Sequence, residues 1–342
     1  MNTPGIDWPR LVRWMSAHVP DAGEPTGISV ISGGRSNLTY LVQAEARRVV
    51  LRRPPLGHVL PTAHDMSREF RVISALAATP VPVPEPLAFC SDEDVIGAPF
   101  YLMGHVAGDA IRTAEELTGL GVGADGARRL SERLAEILAA VHAVDYEEAG
   151  LGDFGRPEGY MARQLRRWNQ QWERSKTREL PEYDRLVTRL GERLPGRSGA
   201  TLVHGDYRLD NTLVGLGPDG GAEIRAVVDW EMSTLGDPLA DLGLTLTYWH
   251  DADDAVPVAG SATTVPGFLG PREFAAHYAK TAGTDLGDLD FYLAFGRFKL
   301  AVILEGIHAR YQQGKTVGEG FGTVGAGVPH LVARAHRILD GA

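Results

Sequence analysis

The chain is nearly devoid of cysteine: Cys90 stands alone among 342 residues. A single thiol rules out an intrachain disulfide and any cysteine-based zinc cluster. An excess of positive charge is also missing. Lysine and arginine number 34 against 44 aspartate and glutamate, a formal net charge of -10, which argues against a general nucleic-acid or anionic-membrane binder. Phosphate recognition by a few local cations and backbone N–H groups stays open. No apolar run approaches a membrane span, and the N-terminus lacks a basic region leading into an apolar one. The expectation is therefore a cytoplasmic protein with neither membrane nor nucleic acid as partner. What is present is ordinary: 44% apolar and 23% charged residues, in a chain long enough for two lobes with substantial cores.

Residues 7–19 read as a short amphipathic helix opened by Asp7 and Pro9. Three strands follow, with apolar cores at Val30–Ile31, Tyr40–Val42 and Val49–Leu51. Residues 63–78 have helical spacing, and after the Pro-rich VPVPEP come strand-like LAFC and PFYLMGHV. From about 113 the pattern is mainly helical, interrupted at 201–230 by a hairpin whose turn is GLGPDGG. Residues 251–270 and 314–327 read as loops, and no internal repeat is present. The expected fold class is α+β: a small N-terminal β lobe with one helix (1–104), then a larger helical lobe with an inserted hairpin (105–342).

Chemistry concentrates in that hairpin. LVHGDYRLDNTLV (202–214) sets Asp206 and Asn211 five residues apart in a polar loop between apolar runs, and AVVDWE (226–231) ends a further run at Asp229. Three oxygen-bearing side chains on adjacent strand ends can do two jobs. One carboxylate can orient a hydroxyl nucleophile, while a carboxylate and an amide hold Mg²⁺ on a nucleotide's phosphates. The bland alternative is a set of turn caps.

H-G-D-x-x-x-x-N has the spacing of a kinase catalytic loop, and the chain resembles the aminoglycoside phosphotransferase family within the wider protein-kinase-like fold. It is most like the kinase-like domains found alone in bacteria or fused ahead of certain acyl-CoA dehydrogenase domains. GGRSNLTYLV (33–42), VLRRPP (50–55), LPTAHDMSREFRVI (60–73), YLMGHVAG (101–108), LVHGDYRLDN (202–211), VVDWEMSTLGDPLADLG (227–243) and FKLAVILEGIHAR (298–310) carry the resemblance. It implies a two-lobe fold, ATP and Mg²⁺, and a small-molecule hydroxyl acceptor. By motif position, Asp206 takes the hydroxyl's proton. Arg208 either stabilises the transferring phosphoryl group or is a solvated loop cation. Asn211 and Asp229 hold the metal, and Glu231 either assists it or caps the turn. Gly34, Ser36 and Asn37 belong to a phosphate-covering loop, although the full G-x-G-x-x-G is missing. Arg52 replaces the usual lysine as the α/β-phosphate cation, with Glu69 as its partner, while Arg53 is expected on the opposite, solvent-exposed face. The Gly104 carbonyl and Val106 N–H meet the adenine edge. His204 is expected to be a buried anchor, and Asp237 and Asp241 to brace the loop from beneath.

The acceptor is less legible. The resemblance puts its pocket against residues 113–198 and 240–312. Residues 161–193 carry nine Arg or Lys against five Asp or Glu, with Trp168 and Trp172 at helical spacing. They form either a solvated helix with its tryptophans on the core or a surface for an anionic or partly apolar acceptor. The likeness to domains fused with acyl-CoA dehydrogenases suggests a hydroxyacyl compound or its CoA thioester. The rivals are an aminoglycoside or sugar-like alcohol kinase and a nucleotide-binding pseudokinase scaffold. A protein kinase is disfavoured by the missing A-P-E and by GDPLADLG following so soon after Asp229.

Overall fold

A computed structural model describes residues 3–31, 37–57, 65–196, 199–218, 220–249, 262–314 and 322–341. Helix α1 (Trp8–His18) starts at the Asp7 N-cap, whose carboxylate accepts from the Arg10 N–H. Strands β1 (Pro25–Val30), β2 (Leu38–Ala44) and β3 (Arg48–Arg53) precede helix α2 (Met66–Leu76), and β4 (Pro86–Cys90) and β5 (Phe100–Gly104) follow it. They form one antiparallel sheet in the order β1-β2-β3-β5-β4.

Alternation along β3 sorts its side chains between two layers. Val49 and Leu51 pack with Leu11 and Met15 of α1, together with Tyr40, Phe100 and Leu102. Val50 faces the other way, toward Ile73 and Leu76 of α2 and the main core. Arg52 shares that second face. Arg53 shares the first, and there the expectation of solvent exposure fails: it is buried, donating to the carbonyls of Gly5, Pro54 and Ile96. The outer face of the sheet is covered by α1 and the segment before it. The reverse error occurs at β1. Val30 and Ile31, read as a strand core, are exposed, and Ile31 lies past the strand end.

The larger lobe begins with α3 (Ala114–Gly119), α4 (Ala124–His142), α5 (Tyr160–Ser175) and α6 (Pro181–Glu192). Short strands β6 (Thr201–Val203) and β9 (Thr234–Gly236) pair antiparallel around the hairpin of β7 (Thr212–Leu216) and β8 (Ala222–Val227). Helices α7 (Pro238–Thr247), α8 (Pro271–Ala282), α9 (Leu289–Gln312) and α10 (Gly327–Leu339) complete the chain. One core runs from the inner sheet face and α2 through α4 to Tyr207 and Trp230. A second joins α5, α6, α9 and α10. Among the described residues no helix is long and apolar enough to cross a membrane.

Candidate active site

The lower part of the site is a polar loop held rigidly by buried groups. Strand β6 delivers His204, Gly205 and Asp206, and a 3₁₀ turn at Leu209–Asn211 leads into β7. Asp241, on the first turn of α7, accepts from the backbone N–H groups of His204 (2.6 Å) and Gly205 (2.9 Å), with His142 Nε2 at 3.3 Å. Burial pushes the Asp241 carboxyl up, but the hydrogen bond from His142 and the other donors win and hold it below the usual carboxylate range. Asp237 caps α7 through the Leu239 N–H and accepts from the Tyr292 hydroxyl at 2.8 Å.

His204 is fully buried. Its Nε2 lies 3.0 Å from the Val228 carbonyl, and its Nδ1 lies 3.3 Å from the Asp206 N–H. A carbonyl only accepts, so the proton is on Nε2 and Nδ1 is the acceptor. The ring therefore ties the Asp206 loop to the residue before Asp229, as does the bond from the Val228 N–H to the Asn211 carbonyl. Gly205 has φ +84, and a Cβ there would lie 2.6 Å from the Met232 carbonyl oxygen, so this crossing accepts only glycine.

Asn211 Nδ2 donates to the Asp206 carbonyl (2.8 Å) and to Asp206 Oδ2 (3.0 Å). Arg208 spans Asp206 (3.6 Å) and Asp210 (3.0 Å) and lies 4.9 Å from the Tyr248 ring centre. Burial works against its charge, and the carboxylates of Asp206 and Asp210 outweigh it, so its pKa is raised. Asp229 adopts left-handed backbone, φ 66, the one non-glycine residue with positive φ among those described.

The upper part closes on this loop through Arg52. Its Nε is 3.1 Å from Glu69 Oε2, and a terminal nitrogen bonds Asp229 and stands 3.9 Å from Glu231. Glu69 lies on the buried stripe of α2 with Met66, Val72, Ile73 and Leu76. A glutamate on an apolar stripe is a signal in itself, because its charge needs a partner inside. Burial raises the Glu69 carboxyl and the Arg52 guanidinium opposes that. Arg52 itself is pushed well above its ordinary value, against its own burial, by Glu69, Asp229 and Glu231. A guanidinium does not give up its proton, so Arg52 keeps its positive charge beside the Glu69 carboxyl. Asn37, also buried, donates to Glu231 at 3.0 Å, joining the segment before β2 to the Asp229 turn. Gly34 and Ser36 lie outside the described residues. At the junction of the lobes the Gly104 N–H donates to Glu85 and the His105 N–H to Arg48, while Val106 is half-buried.

Sequence reasoning missed Lys299. From α9 its Nζ donates to the Gly205 carbonyl at 3.0 Å and stands 5.3 Å from the Trp168 ring centre. The available signal was one lysine between Phe298 and Leu300 in an apolar run. Trp172 is buried and stacks on Tyr183, whereas Trp168 is half-buried and faces Lys299. The Arg/Trp helix thus packs Trp172 into the core and sets Trp168 beside Lys299.

A small antiparallel sheet with a helix on each face rather than the one expected, clasped by an arginine onto a helical lobe with this loop, defines the protein-kinase-like class of small-molecule phosphotransferases. Residues 27–277 match the Phosphotransferase enzyme family, and the chain belongs to it. Over 288 residues, 82% of this chain, it is 36% identical to acyl-CoA dehydrogenase family member 10 of Mus musculus, of which it spans 26%. The crystal structure of a candidate aminoglycoside phosphotransferase from Ralstonia eutropha is similar at TM-score 0.85 and 32% identity, over 98% of this chain and 99% of that one. Spectinomycin phosphotransferase with ADP and spectinomycin superposes at TM-score 0.63 and 13% identity, over 98% and 99%. At that identity the likeness is one of fold alone.

Proposed function

We propose that the chain transfers the terminal phosphoryl group of ATP, with Mg²⁺, to a hydroxyl of a small molecule. One observation carries the reading: Arg52 joins Glu69 on α2 to Asp229 on the lower loop, beside the Asp206–Asn211 pair. Such a bridge gathers a phosphate-binding cation, its positioning partner and a metal ligand at one seam, and phosphoryl transfer needs little beyond positioning and charge neutralisation. The nucleotide would lie between the 1–104 and 105–342 lobes, with the Gly104–Val106 backbone at its base edge.

The donor set fits a small, hard cation. Asp229 offers a carboxylate. The Asn211 amide nitrogen is already engaged with Asp206, so its oxygen is the atom left for a metal. Among the described residues no group of three His, Cys, Asp or Glu gathers around a common point, and Mg²⁺ completed by phosphate and water does not require one. Held by Asn211 and Asp229, the ion would supply neutralisation of the phosphate charge. Arg52, fixed by Glu69, would bind the α- and β-phosphates through two parallel N–H donors. Asp206 orients the acceptor hydroxyl. As that oxygen bonds to the γ-phosphorus and the bridging P–O bond to ADP breaks, the hydroxyl proton passes to Asp206, leaving ADP and a phosphate ester. Arg208 stabilises charge on the group in flight.

For the acceptor, the similarity to an acyl-CoA dehydrogenase family member supports a hydroxyacyl compound or its CoA thioester. The likeness to a candidate aminoglycoside phosphotransferase supports an aminoglycoside or sugar-like alcohol. Cations beside Asp206 weigh against a polycationic acceptor. Purified protein with Mg²⁺, ATP and a panel of aminoglycosides and hydroxyacyl-CoAs separates the two, and turnover confined to aminoglycosides would sink the first. Unchanged transfer in Asp206→Asn would sink the mechanism itself.

A further inference from the structure

The polar groups around Asp206 leave one cation over. Arg208 is shared by Asp206 and Asp210, and Asp241 is engaged by His142 and two backbone N–H groups. Lys299 forms no ion pair among the described residues; its one hydrogen bond goes to the carbonyl of Gly205, the residue before Asp206. An ammonium carries three N–H donors, so two stay unassigned. The indole beside it has the same deficit. Trp168 Nε1 is buried and without a hydrogen-bond partner among the described residues, in a ring whose centre is 5.3 Å from Lys299 Nζ.

A loop-bracing role explains one N–H of Lys299 and neither of the other two, nor the orphaned indole donor. Both groups lack the same thing, an oxygen to accept from them. Burial, with the nearby Arg167 adding to it, lowers the Lys299 pKa, and Asp206 and Asp241 partly restore it, as fits an ammonium awaiting a further anionic or dipolar contact.

We propose that Lys299 and Trp168 form the oxygen-binding subsite for the acceptor, taking a carboxylate or carbonyl oxygen of the molecule whose hydroxyl meets Asp206. The proposal rests on the phosphotransferase reading above. Because Nζ bonds the carbonyl next to Asp206, the acceptor's oxygen and its hydroxyl are separated by only a few bonds. An acceptor with an amine at that place meets Lys299 as a like charge and is rejected, which gives selectivity by repulsion as well as by contact.

The test uses the full chain and three probes on one carbon skeleton: 3-hydroxybutyrate, 3-hydroxybutyramide and 4-amino-2-butanol. Melting temperature is followed with Mg²⁺ and a non-hydrolysable ATP analogue, and KM and kcat with ATP. The acid and the amide should stabilise the wild type and the amine should not. Lys299→Met should weaken the acid about 10- to 100-fold, as loss of a charge-assisted hydrogen bond does. It should change kcat by less than about threefold and leave the response to the analogue intact, while Lys299→Arg keeps most of the acid's affinity. Trp168→Phe, which retains the ring, should weaken acid and amide alike. Equal response to all three probes, preference for the amine, or no response to any overturns the proposal. So does a Lys299→Met variant that loses kcat with affinity unchanged, since that marks a loop brace only. Absence of any shift with the analogue alone counts against the phosphotransferase reading instead, and the comparison of acid with amine, repeated without nucleotide, still decides the subsite.

Discussion

Two buried aspartates at the start of α7, the N-cap Asp237 and Asp241 on the first turn, should answer the same substitution to different degrees. Asp241 uses both oxygens on donors: Oδ1 takes the Gly205 N–H and Oδ2 takes the His204 N–H and faces His142. In Asp241→Asn an NH₂ group must face one of those backbone N–H groups, whichever way the amide is turned. One buried donor loses its acceptor, at about 1–3 kcal/mol, and the surviving bond loses its charge assistance, about 1 kcal/mol more. The expected loss is about 2–4 kcal/mol, or roughly 3–6 °C in melting temperature for a chain of this size. Asp237 has the Leu239 N–H and the Tyr292 hydroxyl among its donors. An asparagine there keeps the cap with its oxygen and can donate to the Tyr292 hydroxyl, so Asp237→Asn should cost less than Asp241→Asn. Acid adds a second check. The Asp241 carboxyl is depressed, so its stabilisation is complete above the unfolded carboxylate value of about 3.9 and is lost as pH falls from there through the folded value. The gap between wild type and Asp241→Asn, read by scanning calorimetry, should therefore be full at pH 7 and narrow below about pH 4. Equal melting temperatures for wild type and Asp241→Asn, or a gap that widens in acid, would refute the account.

Three further outcomes follow from the site. Arg52→Met should weaken ATP and leave Glu69 buried without its partner, costing about 3–5 kcal/mol; adding Glu69→Leu should restore much of the melting temperature and none of the ATP affinity in a nucleotide titration. Asp206→Asn should lower kcat about 10²–10⁴-fold while leaving the melting shift from ADP near wild type, which stopped-time product assays and thermal scans can separate. Gly205→Ala should destabilise the protein by more than about 1 kcal/mol in denaturant titrations, because its Cβ would press on the Met232 carbonyl.

The parts of this architecture legible in the sequence are those set by local spacing. Asp206 and Asn211 share one loop, and Asp229 follows β8, which pairs with the strand that Asn211 leads into. Glu69 was placed by its motif position, and the structure sets it on the buried stripe of α2. Arg53 was misread because alternation gives a side chain's face and not what covers that face, and its cover comes from Gly5 and Ile96, far along the chain. The exposed Val30 is the same failure with the opposite sign. Lys299 escaped notice for two reasons. It lies 94 residues from its partner Gly205, and α9 is buried around much of its circumference, with Phe291, Phe295, Phe298, Leu300, Val302 and Leu304 all inside. A helix apolar on most sides presents no polar face from which a site residue would stand out.

Asp229 sits in a backbone conformation that glycine or asparagine adopts more readily. A directed-evolution campaign selecting for heat resistance alone would accordingly be drawn to Asp229→Asn or Asp229→Gly, either of which gives up the carboxylate. Among natural chains of this architecture, the same exchange on an unaltered scaffold would work as a diagnostic lesion. Under the proposed role of Asp229 as a metal ligand, it would flag a descendant that has kept its shape and abandoned its reaction, and would do so from one column of sequence.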